Sequence, residues 1–197
     1  MAYNLLHTQK TLEKFRDYVI QQSRTNLTKG GKNVTSNLYS QLKGEVKAMP
    51  NSLGVYFEMP YYGLFQDKGV RGVGGTKKNG EAYEQRGGNS EFRFGSGKSK
   101  GGSMYASILK WVQARRFQFT TKNQKNKKDN GKLMSYKTTA AIITKSLWHT
   151  GIRPSLFFTK PFEAGYKKYI TEDLIKGFAL DVEDLMKTSL KDNKKWE

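Results

Sequence analysis

Cysteine is absent from the 197 residues, which excludes disulfide scaffolds, thiolate zinc sites, iron–sulfur clusters and cysteine nucleophiles. Histidine occurs only as His7 and His149, and neither has a partner at metal-ligand spacing. We therefore expect no metal site and no cofactor. No apolar run approaches the ~18–20 residues of a membrane-spanning helix. The first residues carry no secretory signal, so we expect synthesis in the cytosol and no membrane partner.

Acidic residues are also few. Asp and Glu number 17 against 35 Lys and Arg, so the formal net charge is +18. A nuclease needs clustered carboxylates to hold magnesium, and none stand together in the middle of the chain. Gly95-Ser-Gly-Lys-Ser99 lacks the first glycine of a phosphate-binding loop, because Phe92 occupies that position. We expect no enzymatic function, and a small nuclease stays as the third and least favoured alternative.

Aromatic residues, at 13%, are too frequent for a disordered chain, so the sequence predicts a folded core. The first helix has an apolar stripe at three- and four-residue spacing, with Thr8 or Thr11 as its cap and Gly30-Gly31 as its end. Strict alternation from Leu53 to Met59 predicts the second strand of a hairpin whose first strand begins near Leu38. The residues of that first stripe are Leu12, Phe15, Tyr18, Val19, Ser23 and Leu27.

Three more helical segments follow by the same periodicity. The first contains Trp111 and ends at Arg115-Arg116, the second runs from Thr138 to Trp148, and the third is a long C-terminal helix with Pro161 in its first turn. The sequence therefore predicts an α+β fold: a small, mainly antiparallel sheet packed by N-terminal, middle and long C-terminal helices. We expect the core to contain Phe15, Val55, Phe57, Trp111, Ile142, Trp148, Phe162 and Phe178.

Two long flexible loops interrupt the predicted single domain of residues 1–197, at about 69–102 and 118–135. The first is rich in glycine and the second in lysine and asparagine. Their positive charge is typical of a surface that attracts a polyanion without reading its sequence, or of a solvated loop that keeps the protein soluble. The candidate contact residues to DNA or to a neighbouring subunit are Lys68, Arg71, Lys77, Lys78, Arg115, Arg116, Lys122, Lys125, Lys127 and Lys128.

Three segments in this order resemble the tail-completion or neck proteins of tailed bacteriophages, of the lambda-type minor tail protein Z group. They are the aromatic turn from Tyr61 to Gly72, the helix Trp111-Val-Gln-Ala-Arg-Arg, and the segment from Ala140 to Pro154 followed by Phe157-Phe and Pro161-Phe. Where members of that group often carry an acidic residue followed by Gly-Thr, this chain has Asp67-Lys68-Gly69-Val70.

The resemblance implies a structural virion protein, assembled in the host cytoplasm, that joins the DNA-filled head to the tail as part of a ring. Its partners would be copies of itself and other connector or tail proteins, and its basic loops could face channel DNA. A ring of this kind uses heterologous contacts that close by rotation. The alternative function is sequence-independent nucleic-acid binding through the basic loops.

Overall fold

The structure is a computed structural model that describes residues 5–31, 36–49, 52–95, 104–121 and 131–193. Residues 191–193 are described by their backbone alone. It mixes helices with small antiparallel sheets, and it ends in a long helical element, as the sequence predicts. The chain forms two compact units, Met1–Tyr61 with Leu156–Glu197, and Tyr62–Ser155. No helix among the described residues combines the length and apolar character needed to span a membrane.

The first unit is built around helix α1, Leu6–Lys29. Its buried face contains Leu12, Phe15, Val19, Ser23 and Leu27, which confirms the predicted stripe, and the helix ends at Gly30. The predicted caps are wrong, because Leu5 is the N-cap and makes no capping hydrogen bond with its side chain, while Thr8 lies inside the first turn.

The hairpin also differs in part from the prediction. Strand β1, Lys43–Met49, pairs antiparallel with β2, Ser52–Glu58, in the register Lys43↔Glu58 to Met49↔Ser52. Leu38 is not at its start but in a short helix α2, Asn37–Gln41. The reason is tertiary: Leu38 is buried in a cluster with Leu27 and Phe157.

The C-terminal element runs without a break through α6, Thr159–Gly165, a π-helical segment, Tyr166–Asp173, and α7, Leu174–Asn193. It lies against α1. Glycine makes this close approach possible, because a Cβ at Gly165 would lie 2.9 Å from the Tyr18 ring, and one at Gly177 only 3.1 Å from the carbonyl oxygen of His7. Near the start of α6, the rings of α1, β2 and α6 form an aromatic cluster with neighbouring centroids 5.4–6.1 Å apart. Its members are Phe15, Phe57, Phe158 and Phe162.

The second unit contains α3, Tyr62–Lys68, a two-residue pairing of β3, Val70–Arg71, with β4, Gly151–Ile152, and the helices α4, Met104–Ala114, and α5, Tyr136–Thr150. Helices α4 and α5 pack against each other. The Ser135 hydroxyl caps α5 by accepting from the Thr138 N–H, and Gly151, at φ 83°, ends the helix. Thus the predicted helix over Thr138 to Trp148 is confirmed and extends two residues further at each end.

Residues 69–95 are not a structureless loop. Their N–H groups donate to the last carbonyls of α5, from Val73 to Trp148, from Gly74 to His149 and from Arg86 to Thr150. The final carbonyls of a helix have no partner within it, so this segment is the C-terminal cap of α5. The second predicted loop is flanked by an antiparallel bridge between Thr120 and Leu133, and its residues 122–130 lie outside the described part of the chain.

The predicted core is wrong at five of its eight positions. Phe15 is buried, and Val55 and Phe57 are half-buried. The physical reason is that small and polar side chains occupy the inner faces: Thr139 and Ala140 in α5, Gly177 and Asp181 in α7. The large side chains then lie outside them. The exposed five are Trp111, Ile142, Trp148, Phe162 and Phe178.

Candidate interaction surfaces

Two of the predicted contact residues, Lys68 and Lys77, stand beside carboxylates. Lys68 donates to Glu91 at 2.7 Å, and this hydrogen bond raises the pKa of Lys68 above its ordinary value. Lys77 donates to Glu81 at 3.0 Å, and its hydrogen bond lowers the pKa of Glu81. Both pairs are exposed to solvent. Because a carboxylate lies next to each ammonium group, the two lysines add little net positive charge to the surface.

Four more of the predicted contact residues lie on separate exposed segments of the second unit. Arg71 is exposed in β3, and Lys78 lies in the turn before Gly80. Arg115 and Arg116 directly follow α4, with Arg116 in the left-handed conformation at φ 51°. The other four lie outside the described residues: Lys122, Lys125, Lys127 and Lys128.

Helices α4 and α5 and the described residues that flank them carry positive charge without any acidic residue. We define the α4–α5 face as residues 104–121 and 131–150, in which no aspartate or glutamate occurs. The sequence reasoning divided this set between a loop and two helices, although the missing acids were a signal that could have joined them. The six cations of the face are Lys110, Arg115, Arg116, Lys132, Lys137 and Lys145.

A groove of about 400 Å³ opens between these two helices. We call it the Trp148 groove. Its wall includes one cation, Lys145, and two aromatic rings, and most of the surface that lines it is apolar. The lining residues are Met104, Tyr105, Ala141, Thr144, Lys145 and Trp148.

His149 in α5 contacts residues of the segment 69–95. Its Nδ1 lies 2.7 Å from the Gly74 carbonyl oxygen, and since a carbonyl only accepts, Nδ1 carries the proton. The imidazole stacks on Tyr83 with centroids 4.4 Å apart and planes 9° apart. His149 lies in the last turn of α5, and its observed contacts are those of a structural residue.

A second apolar surface lies on α7. The α7 stripe, which we define as Ile175, Phe178, Val182, Met186 and Leu190, recurs at steps of three, four, four and four residues and so follows one side of the helix. Ile175 is 67% exposed, Phe178 53% and Met186 63%. The side turned toward α1 is formed instead by Gly177 and Asp181.

A second groove, of about 720 Å³, lies beside α1 and α2. Arg24, one of its lining residues, donates to the carbonyl oxygens of Tyr39 and Leu42 and covers the Tyr39 ring at 5.1 Å. These contacts hold α2 in place, so we assign Arg24 a structural role.

No group of three or more His, Asp or Glu side chains that could hold a metal ion occurs among the described residues. Comparisons of the chain with models of protein families, with curated proteins and with solved structures find no match. The candidate surfaces are therefore interpreted from their chemistry alone: one apolar stripe on α7 and one basic, aromatic face on α4 and α5.

Proposed function

We propose that the chain is a structural virion protein of a tailed bacteriophage, a subunit of the neck ring that joins the DNA-filled head to the tail. The phage assignment rests on the resemblance of the three sequence segments. The observation that carries the subunit role is the α7 stripe, an apolar surface that a self-sufficient monomer would bury. The proposal assigns the chain no catalytic role and places it in the virion after assembly in the host cytoplasm.

The length of the α7 stripe suits a subunit contact. Leu190 lies 15 residues after Ile175, so the stripe is about 22 Å long. Burying the exposed parts of its four large side chains would stabilise a contact by about 4–7 kcal/mol. Association costs about 4–15 kcal/mol in lost translational and rotational freedom. One such contact is therefore marginal, whereas closure of a ring gives every subunit a contact on both sides.

Electron microscopy and sedimentation of the purified protein, alone and with tailless DNA-filled heads, test this proposal. We expect closed rings in solution or a ring of added density at the head vertex. Monomers at every concentration, with no density on the heads, would refute it.

Two variants place the contact on the α7 stripe. Ile175→Asp and Met186→Asp change side chains that are already more than 60% exposed, so the fold should persist while assembly is lost. Leu180→Asp is the matched control, because Leu180 is exposed on the same helix but lies six residues, or about 120° of rotation, from Met186. Equal assembly by all three variants would exclude the α7 stripe.

The second candidate function is sequence-independent nucleic-acid binding by the basic loops. The net charge of +18 favours it, since phosphate neutralisation needs no specific geometry. Changing Lys125, Lys127 and Lys128 together to Glu should remove salt-sensitive DNA binding by the isolated protein. Binding that survives this change, or that ignores salt, would dismiss the loops as the binding element.

A further inference from the structure

The α4–α5 face differs from the other basic segments in having no acid of its own. Lys68 and Lys77 each contact a carboxylate within 3.0 Å, as does Lys187 on α7 with Glu183 at 2.6 Å. Lys110, Lys137 and Lys145 contact no carboxylate in the described part of the chain, and all three are exposed. The face therefore presents a local field of one sign, which attracts a polyanion.

The Trp148 groove adds aromatic surface to this field. The Trp148 indole is 41% exposed, and Phe94 stacks on it with centroids 5.9 Å apart and planes at 23°. The Tyr105 hydroxyl donates to the Lys137 carbonyl oxygen at 3.4 Å. Both rings are thus held by neighbours, so the groove needs little ordering before a flat ligand can stack in it.

We infer that the α4–α5 face binds single-stranded nucleic acid, with an unpaired base stacked in the Trp148 groove and the backbone following the lysines. Binding of single strands without sequence preference combines a basic track with aromatic platforms, and this face carries both. Lys145 is the one cation among the residues that line the groove, so we assign it the contact with the stacked nucleotide's phosphate. This inference goes beyond the neck-ring proposal and does not depend on it.

Charge argues against the main alternative occupant, the same face of a second copy. Such a symmetric contact would bring the exposed Lys137 and Lys145 of one copy toward those of the other, and like charges facing each other across an interface disfavour it. Duplex DNA matches the charge but offers no unpaired base to the groove. A preference for single strands is therefore the signature that separates this site from general electrostatic attraction to DNA.

Fluorescence anisotropy tests the inference on the full chain, by measuring the affinity for a labelled oligo-dT of about fifteen nucleotides and for a blunt duplex of the same length. We expect tighter binding of oligo-dT and quenching of tryptophan fluorescence. Trp148→Ala should weaken oligo-dT binding about 5- to 150-fold, the range for losing one stacked base, and change duplex binding little. Trp148→Phe should restore most of the affinity because its ring still stacks.

Matched variants separate stacking from charge and fold. Lys145→Glu should weaken oligo-dT binding, whereas Lys160→Glu, the same charge change at an exposed residue of α6, should have a much smaller effect. Ile142→Ala removes an exposed side chain of α5 that does not line the groove and should leave binding unchanged. If Trp148→Ala fails to fold, Trp148→Phe and Lys145→Glu still decide the question.

Three results would overturn the inference. The first is equal affinity for oligo-dT and duplex, with Trp148→Ala reducing neither. The second is loss of binding only in the triple Lys125, Lys127 and Lys128 variant. The third is loss of self-association, rather than of nucleic-acid binding, in Trp148→Ala, which would assign the groove to a second copy.

Discussion

The carboxylate of Asp181 in α7 caps the N-terminus of α1 from 173 residues away. It accepts hydrogen bonds from the N–H groups of His7 and Thr8, both at 2.8 Å, and from the Thr8 hydroxyl at 2.6 Å. The first N–H groups of a helix have no partner within it, and a negative charge there also complements the helix dipole. Asp181 is only 2% exposed, so water cannot replace it when it is removed.

Asp181→Ala should therefore destabilise the protein by about 3 kcal/mol. Loss of an N-terminal cap costs up to about 2 kcal/mol, and leaving the buried Thr8 hydroxyl without its acceptor adds about 1 kcal/mol. Asp181→Asn keeps one acceptor oxygen and the shape of the side chain, so we expect about half that cost. In urea the larger loss corresponds to a midpoint about 1 M lower, monitored by far-ultraviolet circular dichroism.

The effect should depend on pH in a defined direction. Burial acts to raise the pKa of Asp181, but the hydrogen bonds from the Thr8 hydroxyl and from the N–H groups of Thr8 and His7 outweigh it, and the pKa lies below the ordinary 3.8. Because the folded pKa is depressed, the stabilisation is fully present above 3.8 and is lost as the pH falls through the lowered value. The stability gap between the wild type and Asp181→Asn should accordingly narrow below pH 3.8.

Asp184→Asn is the control for this experiment. Asp184 lies one helical turn away and is mostly exposed, and among the described residues its carboxylate pairs with the His7 imidazole, at 3.4 Å, so its loss should cost less than about 1 kcal/mol. Hydrogen exchange at the Thr8 amide gives a local measurement, and we expect faster exchange in Asp181→Ala alone. Equal effects of the Asp181 and Asp184 variants, or unchanged exchange at Thr8, would refute the capping argument.

Two further predictions concern the second unit, with urea unfolding monitored by tryptophan fluorescence as the assay. Gly72→Ala should cost about 3 kcal/mol of stability, because a Cβ there would overlap the carbonyl oxygen of His149. Gly80→Ala should cost only about 1 kcal/mol, because Gly80 has a φ of 85° but a Cβ there would meet open space. Equal costs would contradict the close approach of Gly72 to the backbone of α5. Ser90→Ala should cost about 2 kcal/mol of stability, because it leaves the Gly69 carbonyl oxygen without the buried hydroxyl that donates to it at 2.7 Å. A loss of stability under about 0.5 kcal/mol would contradict this.

Local patterns predicted the helices well. The spacing of Leu12, Phe15, Val19 and Leu27 specifies one face of α1 whatever packs against it. The helix ends at the predicted glycine pair, where Gly31 has a φ of 63°. The N-cap was missed because its acceptor is Asp181, on the last helix. No pattern near Thr8 contains that information.

Long-range packing explains why the predicted inner face of α5 was wrong. Hydrophobicity alone selects Ile142 and Trp148 for the core, but the residues that contact the rest of the unit are the smaller Thr139 and Ala140, both fully buried. The glycines of residues 69–95 were read as flexibility for a similar reason. The sequence shows that Gly72 lacks a Cβ, but not that the backbone of α5 occupies the space a Cβ would need.

The two proposals make opposite predictions about salt. Copies of a chain with a net charge of +18 repel each other, and added salt screens that repulsion without weakening the burial of the α7 stripe. Self-association through α7 should therefore strengthen between 50 and about 500 mM salt. Nucleic-acid binding releases counterions and should weaken over the same range. Sedimentation and anisotropy at matched salt concentrations separate the two activities, and self-association that fell with salt would mean that charge, rather than the apolar stripe, holds the copies together.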